Sequence, residues 1–431
     1  INSLINEQHF YRNSLLLAWS ERNSHPVSLR HLANFGKKLT KEKLLSSANF
    51  VRSELPVRLS LKLKELQKLE YKVINNYHIN KVYKSYYLCF NSFRRMGRIE
   101  TLEENEQFCK FLNDVLNDHL TVLPHLMMGA LEVSILKNMN QLQLDEFMSS
   151  MLRSRISRRV IIEQHIMLSR SLNDQNNVID DENKPPNFIG DNFQFCSSHE
   201  HLNNCFNICS NFLQSIYPNL KMPELIIIGD EVKFQFLTNH LNYIFAEILR
   251  NSLKSTIKNF LFRNNGIQLQ ELNDLKPPPI IVTITQTKKD ITFKFQDQGG
   301  GMSNEKLSKV WSFGKSPKLA SEYLLNFHKL PGLDLNDTTT TTTNTNDLSG
   351  MLHNLGQMET SNNFKNKSML KSLVSRPFEY TLGISLPMCK IYTDYWNGEL
   401  DMFSIEGYGT DVYLKLSKLG SGGDKLQLDK A

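Results

Sequence analysis

An apolar strand pattern ends in a carboxylate and three glycines at Phe293-Lys294-Phe295-Gln296-Asp297-Gln298-Gly299-Gly300-Gly301-Met302. Alternate residues from Ile291 to Asp297 share one strand face, so the Asp297 carboxylate is expected on the core-facing side of a sheet. A carboxylate in that position needs a hydrogen-bond donor, which the amino group of an adenine could supply. The glycines let the backbone approach a flat ligand closely, although an ordinary glycine-rich turn between a strand and a helix has the same composition.

Upstream of this stretch, residues 241–257 have the spacing of an amphipathic helix. Glu247 and Asn251 lie one helical turn apart, with Lys254 on the same stripe, and are expected to point the same way. A carboxylate can accept a proton, and an amide oxygen is a hard ligand suited to Mg²⁺. A solvated helix face is the alternative interpretation of this pattern.

Two glycine-containing segments lie downstream. Leu382-Gly383-Ile384-Ser385-Leu386-Pro387 is predicted to open a helix, with Pro387 near its first turn. The free N–H groups and the dipole at such a helix start favour phosphate. Glu406-Gly407-Tyr408-Gly409-Thr410-Asp411 is predicted to join strands at 400–405 and 412–416, and is also compatible with a plain hairpin loop. Residues 280–286 and 291–296 form another predicted hairpin.

In this order, the segments resemble the GHKL ATPase and kinase superfamily: Glu-x-x-x-Asn, Asp-x-Gly-x-Gly, Gly-x-x-Leu-Pro before a helix, and Gly-x-Gly-Thr. The resemblance implies an α+β chain whose residues 184–419 form a Bergerat-type α/β sandwich that binds ATP under a mobile lid. The threonine-rich stretch 334–372 falls where that lid belongs. Because it has few large apolar groups, it is predicted to be a disordered insertion.

The first half of the chain is predicted to be helical. Residues 26–183 contain few glycines and carry long apolar periodicities, which is typical of a four-helix bundle. The periodicity breaks in the proline-containing segment 184–190, where we place the domain boundary. Residues 1–25 are predicted to be an N-terminal extension, and residues 420–431 a flexible tail.

Several stretches narrow the resemblance to the mitochondrial pyruvate dehydrogenase kinases. The similar segments are Phe50-Val51-Arg52-Ser53-Glu54-Leu55-Pro56-Val57-Arg58-Leu59, Asp118-His119 with Val122-Leu123-Pro124, Ser154-Arg155-Ile156-Ser157-Arg158 with Gln164-His165, and Phe403-Ser404-Ile405-Glu406-Gly407-Tyr408-Gly409-Thr410-Asp411. The resemblance implies an ATP-dependent protein serine kinase that phosphorylates and inactivates the decarboxylase alpha subunit of the pyruvate dehydrogenase complex. It further implies a homodimer in the mitochondrial matrix, docked on the lipoyl domain of the acyltransferase core. A branched-chain 2-oxoacid dehydrogenase kinase, or a weakly active scaffold that binds ATP and lipoyl domains, are the alternatives.

The same resemblance assigns roles to single residues. Glu247 would orient or deprotonate the substrate serine hydroxyl, and Asn251 would bind Mg²⁺. Tyr243 stands where the family commonly has a histidine one turn before the catalytic glutamate, and Ser385 replaces a glycine of the usual lid motif. These departures are what keep the scaffold alternative open. The other residues implied in ATP binding are Lys254, Asp297, Gly299, Gly301, Met302, Gly383, Ser385, Leu386 and Thr410.

A basic helical segment of the first half contains His165. A phosphoacceptor histidine, as in two-component histidine kinases, is one interpretation, but those kinases usually place an acidic residue directly after the histidine, where this chain has Ile166. A hydrogen-bonded bundle histidine is therefore preferred. Because the bundle of the resembling family binds small-acid regulators, Arg155, Arg158 and His165 are candidates for a regulatory anion site.

Composition excludes some classes of protein. The chain has 50 basic and 44 acidic residues and a net charge of +6, far from the concentrated basic face of a nucleic-acid binder. No apolar run has the length of a membrane span. The six cysteines are sparse, as expected for a reducing compartment. Cys196, Cys205 and Cys209, with two nearby histidines, could suggest zinc, but their spacing favours buried thiols on a helix.

Overall fold

The structure is a computed structural model that describes residues 13–27, 39–175, 193–264, 275–329, 373, 376 and 380–418. Within these residues, a helical half is followed by a half in which helices pack on β-sheets, so the predicted α+β class is confirmed. The predicted domain boundary at 184–190, the lid insertion at 334–372 and the tail at 420–431 lie outside the described residues.

The helical half forms a bundle of long helices. Its elements are α1 (Ser14–Ser20), α2 (Lys41–Gln67), α3 (Tyr71–Ile74), α4 (Tyr77–Arg94), α5 (Leu102–Asp118), α6 (Val122–Leu136) and α7 (Gln141–Gln175). Helix α2 packs on α4 and α7, while α5 packs on α7 and α6 packs on α4. Together, α2, α4, the α5–α6 pair and α7 supply the long helices expected of the predicted bundle. Thr40 caps the start of α2, and Thr101 with Glu104 forms a capping box at α5.

The apolar pattern around residues 108–126 is divided between two helices. Helix α5 ends at Asp118 and α6 begins at Val122. Pro124 lies in the first turn of α6, where its missing N–H is tolerated, whereas inside one continuous helix it would remove a hydrogen bond. Residues 102–136 are long and apolar enough to cross a membrane, but most of this stretch is buried inside the bundle. Buried core helices often have the same length and hydrophobicity.

Part of the predicted N-terminal extension packs on the bundle. Residues 14–20 form α1, which contacts α2, and the Leu16 side chain is buried. The Trp19 ring meets the Phe90 ring edge-on, with centroids 6.1 Å apart. Asn13 Nδ2 donates to Tyr87 Oη at 2.9 Å. The described residues of this segment are therefore continuous with the helical core.

The second half is built on a mixed sheet. Its elements are β1 (Gln194–Ser197), α8 (Ser198–Ile216), β2 (Leu225–Ile228), β3 (Lys233–Phe236), α9 (Thr238–Arg263), β4 (Ile280–Gln286), β5 (Asp290–Asp297), α10 (Asn304–Ser308), α11 (Pro317–His328), α12 (Ser385–Tyr395), β6 (Glu399–Ile405) and β7 (Gly409–Ser417). Five strands pair in the order β2-β4-β5-β7-β6, and β1 pairs with β3 separately. Among the strand pairs of the described residues, β2 and β4 alone are parallel. Both predicted hairpins, β4–β5 and β6–β7, are confirmed.

Aromatic packing fixes helix α9 against this sheet. The Phe245 ring of α9 lies 4.9 Å from that of Phe293 and 6.0 Å from that of Phe295, between centroids. Trp396, with 0% of its surface exposed, donates from Nε1 to His240 Nδ1 at 3.0 Å. Large buried rings contribute strongly to a core, and a buried indole N–H needs an acceptor. This packing therefore positions the helix that carries Glu247, Asn251 and Lys254.

The cysteines on α8 act as packing groups. The Cys205 thiol lies 3.6 Å from the Asn242 carbonyl oxygen, and the Cys209 thiol lies 3.5 Å from that of Ala246. Burial raises the pKa of Cys209 to about 11. Both side chains thus seat α8 on α9 as neutral thiols, as their spacing predicts.

The two halves contact each other in several places, namely between α6 and α11, between α7 and α12, and at the start of α7. Asp145 Oδ1 accepts from the N–H of Phe313 at 2.6 Å and from that of Gly314 at 3.3 Å. Gln141 Nε2 donates to Ser312 Oγ at 2.8 Å. The bundle therefore holds the loop between α10 and α11 directly.

Candidate functional site

A cavity of about 630 Å³ opens between α9, the start of α12 and residues 303–323. A volume of this size is typical of small-molecule sites, which span roughly 300–1,000 Å³. Its wall brings together five of the residues predicted from the sequence, namely Asn251, Lys254, Gly383, Ser385 and Leu386.

The start of α12 forms one side of the cavity. Ser385 is the first helical residue, and Ile384 at the N-cap position has an apolar side chain that cannot accept from the N–H groups of the first turn. Gly383 has φ +71°, and a Cβ there would lie 2.1 Å from Cε2 of Tyr323. Glycine is required at this position for both reasons. The helix N-terminus thus faces the cavity in the manner predicted for a phosphate site.

The cavity wall is strongly basic. Burial, with nearby cations adding to it, lowers the pKa of Lys254 to about 8. Burial likewise lowers the pKa of Lys315 to about 8. Among the described wall residues, Glu305 alone is acidic. Concentrated positive charge in a cleft attracts a polyanion such as a triphosphate. The basic wall residues are Arg250, Lys254, Lys306, Lys309, Lys315 and Arg376.

Glu247 lies behind this wall. Its side chain is 1% exposed, and the Arg376 guanidinium holds both carboxylate oxygens, with Nη2 2.8 Å from Oε2. Arg376 Nη2 also donates to Ser385 Oγ at 3.2 Å. Burial alone would raise the pKa of Glu247, but the charge and hydrogen bonds of Arg376 outweigh it, so the pKa lies below its ordinary value.

The expectation that Glu247 and Asn251 point the same way is wrong for this structure. The Asn251 side chain is exposed at the cavity and donates from Nδ2 to the Glu247 carbonyl oxygen at 2.8 Å. Helical spacing fixes the direction of each Cα–Cβ bond but not the side-chain rotamer. The ion pair with Arg376 decides where the Glu247 carboxylate lies.

Arg376 was not identified from the sequence. It precedes α12, and its Nη1 donates to the Leu373 carbonyl oxygen at 2.6 Å. Its partner Glu247 lies 129 residues away along the chain, so no local pattern links the two. Tyr243, one turn before Glu247, is buried and donates from Oη to Met388 Sδ at 3.6 Å.

A second cluster of predicted residues lies at the adjoining ends of β5 and β7. Asp297 is 7% exposed, which confirms its core-facing side, and its Oδ1 accepts from the Gly299 N–H at 2.9 Å. Burial raises the pKa of Asp297. Thr410 pairs with Asp297 in the sheet, and its Oγ1 lies 3.0 Å from Ser404 Oγ. Ser404 Oγ accepts from the Met302 N–H at 2.8 Å.

This strand-end cluster adjoins the cavity without lining it. A Cβ on Gly301 would lie 2.0 Å from the Ile405 carbonyl oxygen, so the loop approaches β6 closely. Ser303, which follows Met302, lines the cavity. The predicted residues that the described wall does not include are Glu247, Asp297, Gly299, Gly301, Met302 and Thr410.

A small cavity of about 20 Å³ lies inside the helical bundle. Arg155 and Arg158 line it and are buried, and the Arg158 guanidinium lies 4.1 Å from the centroid of the Tyr86 ring. Among the described residues, Nε of Arg155 and Nη1 of Arg158 have no hydrogen-bond partner. Burial, with Arg158 and Arg155 adding to it, lowers the pKa of His119 to about 3. Buried donors of this kind are suited to an anion.

His165 does not line that cavity. Its Nδ1 lies 3.1 Å from Ser47 Oγ, and its Nε2 lies 3.0 Å from Asn105 Oδ1. Burial lowers its pKa to about 4. The arrangement is that of a hydrogen-bonded bundle histidine. His119 lies beside the arginines instead, and apart from the Asp118-His119 motif no sequence pattern indicated that role.

The chain is similar to several mitochondrial dehydrogenase kinases. Residues 26–191 match the family described as mitochondrial branched-chain alpha-ketoacid dehydrogenase kinase. The chain is 39% identical to the mitochondrial [pyruvate dehydrogenase (acetyl-transferring)] kinase 2 of Saccharomyces cerevisiae, over 99% of this chain and 89% of that protein. It is 26% identical to the corresponding kinase of Arabidopsis thaliana, over 95% and 94% of the two chains. It is 25% identical to kinase isozyme 4 of Homo sapiens, over 94% and 84%.

Proposed function

The chain belongs to the mitochondrial pyruvate dehydrogenase kinases, and from this we propose that it transfers phosphate from Mg-ATP to the decarboxylase alpha subunit of the pyruvate dehydrogenase complex. Phosphorylation of a serine there would inactivate the complex. The observation that carries the proposal is the basic cavity, which places an amide side chain, several cations and a helix N-terminus around one space.

We infer a GHKL-type arrangement of the nucleotide in this cavity. The triphosphate would lie against the start of α12, between Gly383 and Leu386, with Lys254 and Ser385 beside it. The adenine would reach the strand-end cluster, where the buried Asp297 carboxylate can accept from its amino group. A mixed sheet with helices on its inner face supports this arrangement.

The residues present fit Mg²⁺ on the exposed side of the wall. Asn251 offers an amide oxygen, which is the hard donor that Mg²⁺ prefers. When bound, Mg²⁺ neutralises charge on the phosphates. Phosphoryl transfer depends mainly on positioning and on charge neutralisation, which the basic wall and the α12 start also provide. Glu247 would orient or deprotonate the serine hydroxyl.

The test is phosphate transfer from Mg-ATP to the purified decarboxylase alpha subunit. Asn251→Ala should reduce the rate by roughly a hundredfold or more, since a positioning group of the transition state is lost. Asn264→Ala is a matched control, because Asn264 caps the far end of α9 and bonds the Phe260 carbonyl oxygen at 2.8 Å. Wild-type transfer no faster than that of Asn251→Ala would refute the kinase assignment.

A second question within the proposal is which dehydrogenase complex the kinase phosphorylates. A branched-chain 2-oxoacid dehydrogenase is the second candidate, because residues 26–191 match a family described by that activity. Parallel assays with both decarboxylases decide between them. Tight nucleotide binding without transfer to either would instead favour the weakly active scaffold.

We further propose a mitochondrial-matrix homodimer docked on lipoyl domains of the acyltransferase core. The outer sheet face supports dimerisation, since it exposes Ile228, Phe403 and Ile405, the last with 68% of its surface accessible. Ile405→Asp should lower the mass in sedimentation equilibrium. Leu136→Asp, at an exposed residue of the bundle, should not. An unchanged mass for both variants would exclude this face as the interface.

The small bundle cavity is proposed as the regulatory anion site, with Arg155 and Arg158 as ligands and His119 in place of His165. A cavity of about 20 Å³ holds about one water, so a small 2-oxo acid must displace some of its wall to enter; on binding it should raise the melting temperature of the wild type but not of Arg155→Gln. Arg153→Gln is the matched control, because Arg153 lies on the same helix but reaches Asp394 at 3.5 Å. Equal stabilisation of all three proteins would show that the acid does not bind at these arginines.

A further inference from the structure

Arg376 separates Glu247 from the nucleotide cavity. The arginine is 4% exposed, yet it lines the cavity together with Ser385, whereas Glu247 does not. One guanidinium nitrogen, Nη2, contacts both Glu247 Oε2 at 2.8 Å and Ser385 Oγ at 3.2 Å. In this arrangement, the carboxylate reaches the cavity only if the arginine moves.

The Arg376 guanidinium lies at the start of α12, where the proposed function places the phosphates of the nucleotide. Ser385 begins α12, and the N-terminus of a helix carries partial positive charge that disfavours a cation and favours an anion. Arg250 is a second buried cation beside it, since its Nη2 donates to the Arg376 carbonyl oxygen at 3.1 Å. Lys254 on the same helix adds a third positive charge on the wall. Arg376 therefore needs an anionic partner, and a phosphate group can replace the carboxylate.

Resting on the proposed function, we propose that Arg376 is a positioning residue that exchanges Glu247 for a phosphate of the bound nucleotide, thereby freeing the carboxylate for the serine hydroxyl. The exchange conserves charge, because one anion replaces another on the same bidentate donor. A buried carboxylate without its counter-ion is a stronger base, so the release would also activate Glu247. Without nucleotide, the Glu247 carboxylate stays paired with Arg376.

The test is MgATP binding to the full-length chain by titration calorimetry. Glu247→Gln removes the competing carboxylate, so it should tighten binding by at least about fivefold, a typical coupling between linked sites. Arg376→Gln should weaken binding. Adding Glu247→Gln to Arg376→Gln should then change nothing, because the competition needs the arginine. Asp394→Asn is the matched control, since it neutralises a carboxylate at the far end of α12.

Equal affinity of the wild type and Glu247→Gln would overturn the exchange, as would tightening that persists without Arg376. Failure of the wild type to bind MgATP would instead refute the proposed function. If Glu247→Gln does not fold, Glu247→Asp serves, because its shorter side chain loses the two-point contact. The pH profiles give a second readout: Arg376→Gln should move the acidic limb of kcat/KM, which reports the free enzyme, to higher pH and leave that of kcat in place, whereas an arginine that stays paired with Glu247 would make both limbs move.

Discussion

Replacing Gly383 with alanine tests how tightly the start of α12 is built. The residue has φ +71°, where a side chain costs about 1–2 kcal/mol. The new Cβ would also lie 2.1 Å from Cε2 and 2.2 Å from Cδ2 of Tyr323, a ring on α11 that is partly buried. Overpacking of this kind adds about 1–3 kcal/mol. We therefore expect the free energy of unfolding to fall by about 2–5 kcal/mol in total.

Urea unfolding followed by tryptophan fluorescence measures this loss, because the buried Trp396 follows the end of α12. Two other glycines separate the contributions. Gly407 has φ +83° with nothing within 4 Å of its Cβ position, so Gly407→Ala should cost only the backbone strain of about 1–2 kcal/mol. Gly97 also has open space and no positive φ, so Gly97→Ala should be nearly neutral. Gly383→Ala should in addition weaken MgATP binding.

A particular ranking would refute the reasoning. If Gly383→Ala were no more destabilising than Gly407→Ala, the Tyr323 ring would have to yield at no cost. If stability fell as expected but MgATP affinity stayed at the wild-type value, the geometry of this turn would not position the phosphate site.

Three further outcomes are expected. Asp145→Ala should raise the KM for ATP severalfold in steady-state assays, because the Phe313 and Gly314 N–H groups lose their acceptor, whereas Asp145→Asn should restore it. MgATP affinity should fall as pH rises through about 8 in the wild type, fall less in Lys254→Met and stay level when Lys315→Met is added, since both lysines lose their charge near that pH. Stability should fall by about 1.4 kcal/mol per histidine and pH unit below about 6.5, because unfolding lets buried neutral rings take up protons. A urea midpoint that stays flat between about pH 6.5 and 5 would contradict this. The histidines concerned are His119, His165 and His240, with pKa values lowered by burial to about 3, 4 and 3.

The parts of the fold that depend on neighbouring residues were predictable from the sequence. The β4–β5 and β6–β7 hairpins follow from alternating apolar residues and short polar turns, and both pairings are confirmed. The pairing of β2 with β4 was not predicted, because a parallel pair joins strands separated by a long connection. Nor did the sequence predict that residues 14–20 pack on α2, since seven residues carry too short a pattern.

The candidate site divides in the same way. Asn251, Gly383 and Ser385 were found because helix spacing and glycine patterns are local signals. The orientation of Glu247 was missed, because it depends on an arginine brought from a distant segment. Whether the Glu247 carboxylate pairs with an arginine or faces solvent depends on tertiary packing, which the spacing of residues along a helix does not reveal.

The length of α7 has a consequence for how the molecule responds to small ligands. This single helix of 35 residues carries Gln141 on the wall of the large cavity and Arg155 on the wall of the small one, about 20 Å apart at 1.5 Å per residue. A helix resists compression along its axis, so α7 connects the walls of the two cavities rigidly. If an occupant of one cavity shifts this helix along its axis, the wall of the other cavity shifts with it, and thermodynamic reciprocity would then require each ligand to alter the affinity of the other by the same factor.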